Sequence, residues 1–232
     1  MTTREDYLFA AKLAETAERY DEMQEAMRGV VLAGPKLNAE ERSLFSSAYK
    51  HVAAARRSTA RMIGDLETKE GDATNKGKIN EYRVKVETEL EQICNDAIDL
   101  MDKHLIPACD DAEGKLFFYK LKGDYWRYLA EFHKDEKRQI NCDKGMEAYT
   151  EAKAVSATLE KTNPLRLGLA LNMAVFYYEI LNDKEKAIAL AQEAFDDAVD
   201  EMDNLSEAQY KDSSQILQLL RDNLAQWQKA EQ

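Results

Sequence analysis

The chain has 232 residues and a formal net charge of −12, with 44% hydrophobic and 33% charged residues and only 9 Gly and 3 Pro. That composition supports one large domain or two small ones with a sizeable core, excludes wholesale disorder, and favours long helices through its scarcity of helix breakers. The acidic balance speaks against general nucleic-acid binding, which wants a net basic surface.

Apolar residues recur at helical spacing between a few breaks. Tyr7, Ala10, Ala11, Ala14 and Ala17 predict a helix over 3–18, and a second over 20–33 stops at Gly34-Pro35. Asn38 ahead of AEE has the character of an N-cap with an acidic first turn, opening a helix over 39–68. The polar run KEGDATNKGK, Lys69 to Lys78, predicts a break, and Tyr82, Val86, Leu90, Ile93 and Ile98 a helix over 76–106. Beyond Pro107 to Gly114, an aromatic-rich pattern predicts a helix over 113–133. Breaks near Lys134-Asp135, Thr162-Asn163-Pro164, Asn182-Asp183 and Leu205-Ser206 bound four more, over 137–160, 165–181, 184–203 and 208–228. Pro164 suits a helix's first turn, and Ser206 before EAQ suits an N-cap. Nine helices with short connections imply antiparallel neighbours, and no fixed-period repeat is present.

Cys94, Cys109 and Cys142 are widely spaced and form no CxxC pair, so neither a disulfide framework nor a zinc site is expected. His51, His104 and His133 are isolated, and no nucleotide loop or nucleophile motif stands out. The expectation is therefore no catalytic residue, no metal and no cofactor. No stretch approaches the ~20 apolar residues of a membrane span, and MTTREDYLFAAKLAE lacks an apolar signal-type run. A cytoplasmic protein, present also in the nucleus, is expected.

Against this acidic background YKHVAAARRSTAR, Tyr49 to Arg61, is an anomaly. A helix turns about 100° per residue, which puts Lys50, Arg57 and Arg61 on one narrow stripe with Arg56 on its flank. No Asp or Glu occurs from Leu44 to Ile63. Aligned cations repel by a few tenths of a kcal/mol per pair, a cost that a ligand or carboxylates from another helix must offset. In KLKGDYWRYLAE, Asp124, Arg127 and Glu131 share a face, with Lys120 two turns from Arg127 and Tyr128 beside it. Each segment also reads, alone, as a solvated or salt-bridged surface helix. LGLALNMAVFYYEI is almost wholly apolar but for Asn172, with Val175 and Glu179 on the same side. SQILQLLRDNLAQW aligns Ile216, Leu219, Asn223 and Trp227. Two amides among apolar neighbours suit a core or a groove wall.

AKLAETAERYDEM, YKHVAAARRSTAR, ETELEQICND, KGDYWRYLAE, NPLRLGLALNMAVFYYEIL and YKDSSQILQLLRDNLAQW together resemble the 14-3-3 family, in order and over nearly the whole chain. The resemblance implies an all-α fold of nine antiparallel helices forming an L- or cup-shaped, dimeric subunit with an amphipathic groove. It implies a single domain over 1–232, in which about 1–106 supplies the dimer surface and part of the basic pocket. About 107–232 supplies the rest of the groove, and 228–232 is a short tail. It implies an adaptor for phosphoserine and phosphothreonine segments of client proteins, with phosphate bound by Lys50, Arg57, Arg127 and Tyr128. Arg61, Lys120, Asp124 and Glu131 would support them. Asn172 and Asn223 would clamp the peptide backbone, with Leu171, Val175, Glu179, Leu219 and Trp227 along the groove. Leu13, Ala17, Arg19, Glu22, Tyr82, Lys85 and Glu89 would form the interface of a homodimer or mixed dimer, with Arg19–Glu89 and Glu22–Lys85 pairs. The alternative is a phosphate-independent helical scaffold.

Several positions depart from the usual family pattern: Ala60 where most members carry Trp, Trp126 for Tyr, Asn163 for His, Thr59 where several carry Ser, and the region Phe132 to Gly145. Ala60 puts the packing of the third helix and the strength of the dimer in question.

Overall fold

The computed structural model describes residues 2–229, so residues 230–232 of the expected tail lie outside the described residues. Nine α-helices and no strands occur among the described residues. They are α1 (Arg4–Thr16), α2 (Tyr20–Ala33), α3 (Ala39–Lys69), α4 (Ala73–Leu100), α5 (Ala112–Phe132), α6 (Asp135–Ser156), α7 (Pro164–Val175), α8 (Lys184–Val199) and α9 (Glu207–Lys229). α4 and α7 each run on into a π-helical turn, Met101–Leu105 and Phe176–Ile180, and a 3₁₀ turn at Met202–Asn204 precedes α9. The chain divides into two compact units, Met1–Cys109 and Asp110–Gln232.

In the N-terminal unit α1 packs on α2, α2 on α3, and α3 along α4. Its core holds Met23, Met27, Val30, Phe45, Tyr49, Leu90, Cys94 and Met101, each 1% exposed or less. The α1–α2 approach is close because Gly29 lacks a side chain, and a Cβ there would lie 2.5 Å from the Tyr7 ring. Asp96 of α4 gathers α2 and α3. It accepts hydrogen bonds from the Tyr49 hydroxyl at 2.6 Å and the Arg28 Nε at 2.9 Å. Burial and the neighbouring Asp96 push the Tyr49 phenol far above its ordinary range, so it stays a donor.

In the C-terminal unit α5 and α6 pair along their lengths, and α7 packs between them and α8 and α9. Leu116, Tyr149, Phe176 and Leu220 are fully buried in one core with Leu167, Leu169 and Trp227.

Caps explain most helix starts. Asn38 and Glu41 form a capping box, each side chain meeting the other's backbone N–H at about 3 Å. Ser206 and Gln209 do the same for α9. Two starts differ from expectation by more than one residue. The run from Lys69 to Lys78 contains only a three-residue turn, because the Asp72 carboxylate accepts from the Thr74 and Asn75 N–H groups and starts α4 at Ala73. α6 begins two residues early, at Asp135, whose φ of 50° lets the chain reverse after α5. α6 also stops at Ser156 and α8 at Val199, each four residues short of expectation.

The α3 cap also anchors α1. Glu41 is 4% exposed, and its carboxylate takes both outer nitrogens of Arg4, at 2.9 and 3.0 Å. Burial pushes the Glu41 carboxyl up, but Arg4 and the Asn38 N–H outweigh it and hold its pKa below the ordinary 4.5. A depressed carboxylate contributes stability above its unfolded pKa and loses it as pH falls through the folded one. Glu41→Gln is therefore expected to lower stability by about 2 kcal/mol at neutral pH, the typical worth of a charged hydrogen bond. The deficit should shrink once the pH drops below about 4.5. Urea denaturation of both proteins along a pH series checks this, and a deficit unchanged in acid would refute the assignment.

Candidate functional site

The residues expected at the site fall in both units, and each set is described within its own unit. In the C-terminal unit the site is built on α5. Asp124 is a carboxylate with 1% side-chain exposure. Leaving it buried requires donors on every side. It accepts from Asn172 Nδ2 of α7 at 2.7 and 3.0 Å, and from the Tyr149 hydroxyl of α6 at 2.7 Å. Lys120 Nζ lies 3.4 Å away, one helical turn earlier, and Arg127 Nη2 3.5 Å away, one turn later.

Arg127 is itself buried. Its Nε donates to the Tyr149 oxygen at 3.4 Å, and its Nη1 lies 3.8 Å from Glu131. Its guanidinium carbon lies 4.9 Å from the centre of the Tyr128 ring. Burial alone would disfavour its charge, yet Tyr149 and Asp124 overcome that and hold its pKa above the ordinary value. Burial above all, with Asp124, raises the Tyr149 phenol well above its usual range. The expected face of Lys120, Asp124, Arg127 and Glu131 therefore exists as one bonded set.

Leu171 and Val175 of α7 are half-buried, as are Asn172 and Asn223, while Glu179 and Leu219 are exposed. Asn172 was expected to face a peptide, and its amide nitrogen is instead engaged by Asp124. Trp227 is 5% exposed and stacks on Tyr178 at 4.6 Å, so it is part of the α9 core.

In the N-terminal unit Lys50 and Arg57 are half-buried on α3 and Arg61 is exposed. Arg56, on the flank, is tied to Asp21 of α2 at 2.8 Å and Glu89 of α4 at 3.4 Å. His51 stacks flat on Tyr20 with ring centres 3.9 Å apart.

Three departures have a local account. Asn163 caps α7 by accepting from the Leu165 N–H at 2.9 Å, and donates to Glu113 at 3.1 Å. Trp126 lies half-buried under the Lys144 ammonium, 4.6 Å from its ring centre, against Gly145. In the divergent segment, Asn141 and the His133 Nδ1 share a 2.7 Å hydrogen bond and Arg138 donates to the Ile180 carbonyl. The three cysteines are buried and not disulfide-bonded, and among the described residues no cluster could hold a metal and no helix is long and apolar enough to cross a membrane.

Tyr149 is the site residue that sequence reasoning missed. It reaches Asp124 because Gly123 precedes Asp124 on α5, where a Cβ would come within 2.5 Å of the Tyr149 ring.

This all-α chain braces Lys120 and Arg127 with the carboxylates of Asp124 and Glu131 and the phenol of Tyr149. The chain belongs to the 14-3-3 family, whose model, described as 14-3-3 protein, matches residues 10–228. It is 52% identical to the checkpoint signal transducer rad24 of Schizosaccharomyces pombe, over 97% of this chain and 85% of that one. It is 51% identical to 14-3-3-like protein C of Glycine max, over 97% and 88%. To 14-3-3 protein zeta of Bombyx mori it is 52% identical, over 97% and 92%.

Gly123→Ala tests the approach. In a free helix the change would stabilise by up to about 1 kcal/mol. Here it should destabilise by about 1–3 kcal/mol, the usual cost of overpacking, because the Tyr149 ring must move. Equilibrium denaturation that finds the variant more stable would disprove the contact.

Proposed function

We propose that this protein is a phosphoserine- and phosphothreonine-binding adaptor, in which Lys50, Arg57, Arg127 and Tyr128 receive the phosphate. Membership of the 14-3-3 family makes it a phosphopeptide-binding adaptor, and family members are adaptors rather than enzymes. The assignment of residues rests on one observation above others. Arg127 is a buried arginine whose fork is fixed by Asp124, Glu131 and Tyr149. A fixed planar fork loses little freedom on meeting a phosphate, and it meets it bidentately.

A phosphate ester brings about −1.5 to −2 charges and three acceptor oxygens at neutral pH. Two helices supply cations, α3 through Lys50 and Arg57 and α5 through Arg127. Arg61 and Lys120 reinforce them. Asn172, Asn223, Leu171, Val175, Glu179, Leu219 and Trp227 line the path of the peptide. Asn172 keeps its carbonyl oxygen available when Asp124 holds its nitrogen, so it can still accept a peptide N–H. The phosphate-independent scaffold is not favoured, since the phosphate set is complete in the sequence. Client proteins that meet the adaptor in the cytoplasm or nucleus are the partners this reading implies.

The protein acts as a dimer, of two identical or two related chains, through α1, α2 and α4. Leu13 and Tyr82 are 60% and 56% exposed, and Phe9 is 70% exposed, a cost that a covered face removes. A cleft of about 250 Å³ bordered by Arg56, Thr59, Tyr82, Lys85 and Glu89 lies on the same unit. Arg19 is already paired with Glu22, and Glu89 with Arg56. Cross-dimer Arg19–Glu89 and Glu22–Lys85 pairs would exchange partners rather than gain them, so the apolar contacts of Leu13, Ala17 and Tyr82 carry the association.

Fluorescence-polarisation titration with a phosphoserine peptide and its unphosphorylated twin tests the function. Lys50→Glu should nearly abolish phosphopeptide binding, a loss of about 2–5 kcal/mol, while leaving the helical spectrum intact. Equal affinity for the two peptides would overturn the adaptor reading, and retained affinity in the variant would overturn the residue assignment.

Sedimentation equilibrium at micromolar concentration should report a dimer, and Leu13→Glu with Tyr82→Lys should report a monomer. A wild-type monomer would remove the interface.

A further inference from the structure

α7 has a second working face. At about 100° per residue, Arg166, Ala170 and Met173 lie roughly half a turn from Leu171 and Val175, the positions given to the peptide path. Behind them the end of α6, the start of α7 and the middle of α8 enclose a recess of about 140 Å³. Its floor is apolar, from Leu169 and Met173 of α7 and Leu190 and Ala194 of α8. Its rim carries Lys153, Lys161 and Arg166, facing Glu193 and Asp197.

The charges pair unevenly. Lys161 is held by Asp197 at 3.0 Å and lies 3.9 Å from Glu201. Arg166 donates one Nη1 hydrogen bond to the Leu159 carbonyl at 2.6 Å. Neither Arg166 nor Lys153 has a carboxylate within ion-pair distance among the described residues. Lys161 thus takes up Asp197 and Glu201, while Arg166 and Lys153 stand at the rim outside any ion pair among the described residues. An arginine fork at the edge of an apolar pocket fits a planar carboxylate. Glu193 disfavours a dianion there. An apolar cavity of about 150 Å³ is enough for one benzene ring.

We propose that this recess binds a small apolar monocarboxylate, with a body of one ring or about six carbons on the Leu169, Met173 and Leu190 floor and its carboxylate at Arg166 and Lys153. The site is independent of the phosphopeptide reading, and no residue of the recess belongs to the phosphate or peptide set.

The test is a titration of the full-length, isotope-labelled protein with benzoate, followed by backbone amide shifts, with benzylamine and benzyl alcohol as the cationic and neutral forms of the same ring. Benzoate should give saturable shifts at the end of α6, in α7 and in α8, and bind about tenfold more tightly than benzylamine. Arg166→Gln should weaken benzoate about tenfold, and Ala194→Leu, which fills the floor, should remove the saturable shifts. Lys153→Gln, at an exposed position, should weaken it about threefold and keeps the test open if Arg166→Gln fails to fold. A bound phosphopeptide should leave benzoate in place. Equal binding of benzylamine, shifts centred on the peptide path, displacement by the phosphopeptide, affinity unmoved by the variants, or no saturable shift at the solubility limit would each overturn the proposal.

Discussion

A carboxylate with almost no access to water organises the C-terminal unit. Asp124 cannot stay ionised in such a place unless donors replace the lost solvent, and four side chains do so. Two come from its own helix, Lys120 and Arg127, one from α6, Tyr149, and one from α7, Asn172. Their common acceptor fixes the rotation of three helices about their axes. An apolar replacement of the whole set could pack as well or better, because buried charges recover their desolvation cost only in part. What the charged set gives is position. Arg127 and Asn172 each stand where they do because Asp124 has one place to be.

The N-terminal unit uses a similar device at lower cost. Asp96 accepts from Tyr49 and Arg28, joining α4 to α3 and α2. Its partner Arg28 is half exposed, whereas Arg127 is nearly buried, with side-chain exposures of 49% and 10%. The difference lies in what solvates the two arginines. Arg28 ties helices together at the surface, where water shares its solvation. Arg127 must keep a guanidinium rigid and charged inside the protein, so Tyr149 and Asp124 supply what water does not.

The helices were legible in the sequence because their signals are local. Asn38 with Glu41, Pro164, and Ser206 with Gln209 announce starts within one turn, and the apolar spacing between them is regular. Asp72 carries the same signal as Asn38, yet the polar run around it read as a longer break, since Gly71 and Gly77 suggested loop and a cap competes weakly with them. The Lys120, Asp124, Arg127 and Glu131 face was also legible, being one helix with three- and four-residue spacing. Tyr149 was not. Its place depends on α5 and α6 closing over Gly123, and a tyrosine on a helix carries no mark of which helix it will meet. Asn172 was recognised as an amide among apolar residues, but its bond to Asp124 spans 48 residues and leaves no trace in either segment.

In the proposed phosphate site, the acidic charge of the chain and the cations of α5 are parts of one arrangement. The carboxylates beside Arg127 are not competitors that spoil anion binding. At 3.5 and 3.8 Å they are longer than strong ionic hydrogen bonds, so they orient the fork without saturating it. A neutral serine hydroxyl offers such a fork little that Asp124 and Glu131 do not already provide. A phosphate would bring about −1.5 to −2 charges and three acceptors to a guanidinium whose Nη1 and Nη2 lie 3.8 and 3.5 Å from the resident acids. On that proposal, discrimination between the two forms of a client would reside in how far the resident acids are held back. Tyr149 stands between Asp124 and Arg127 and bonds to both.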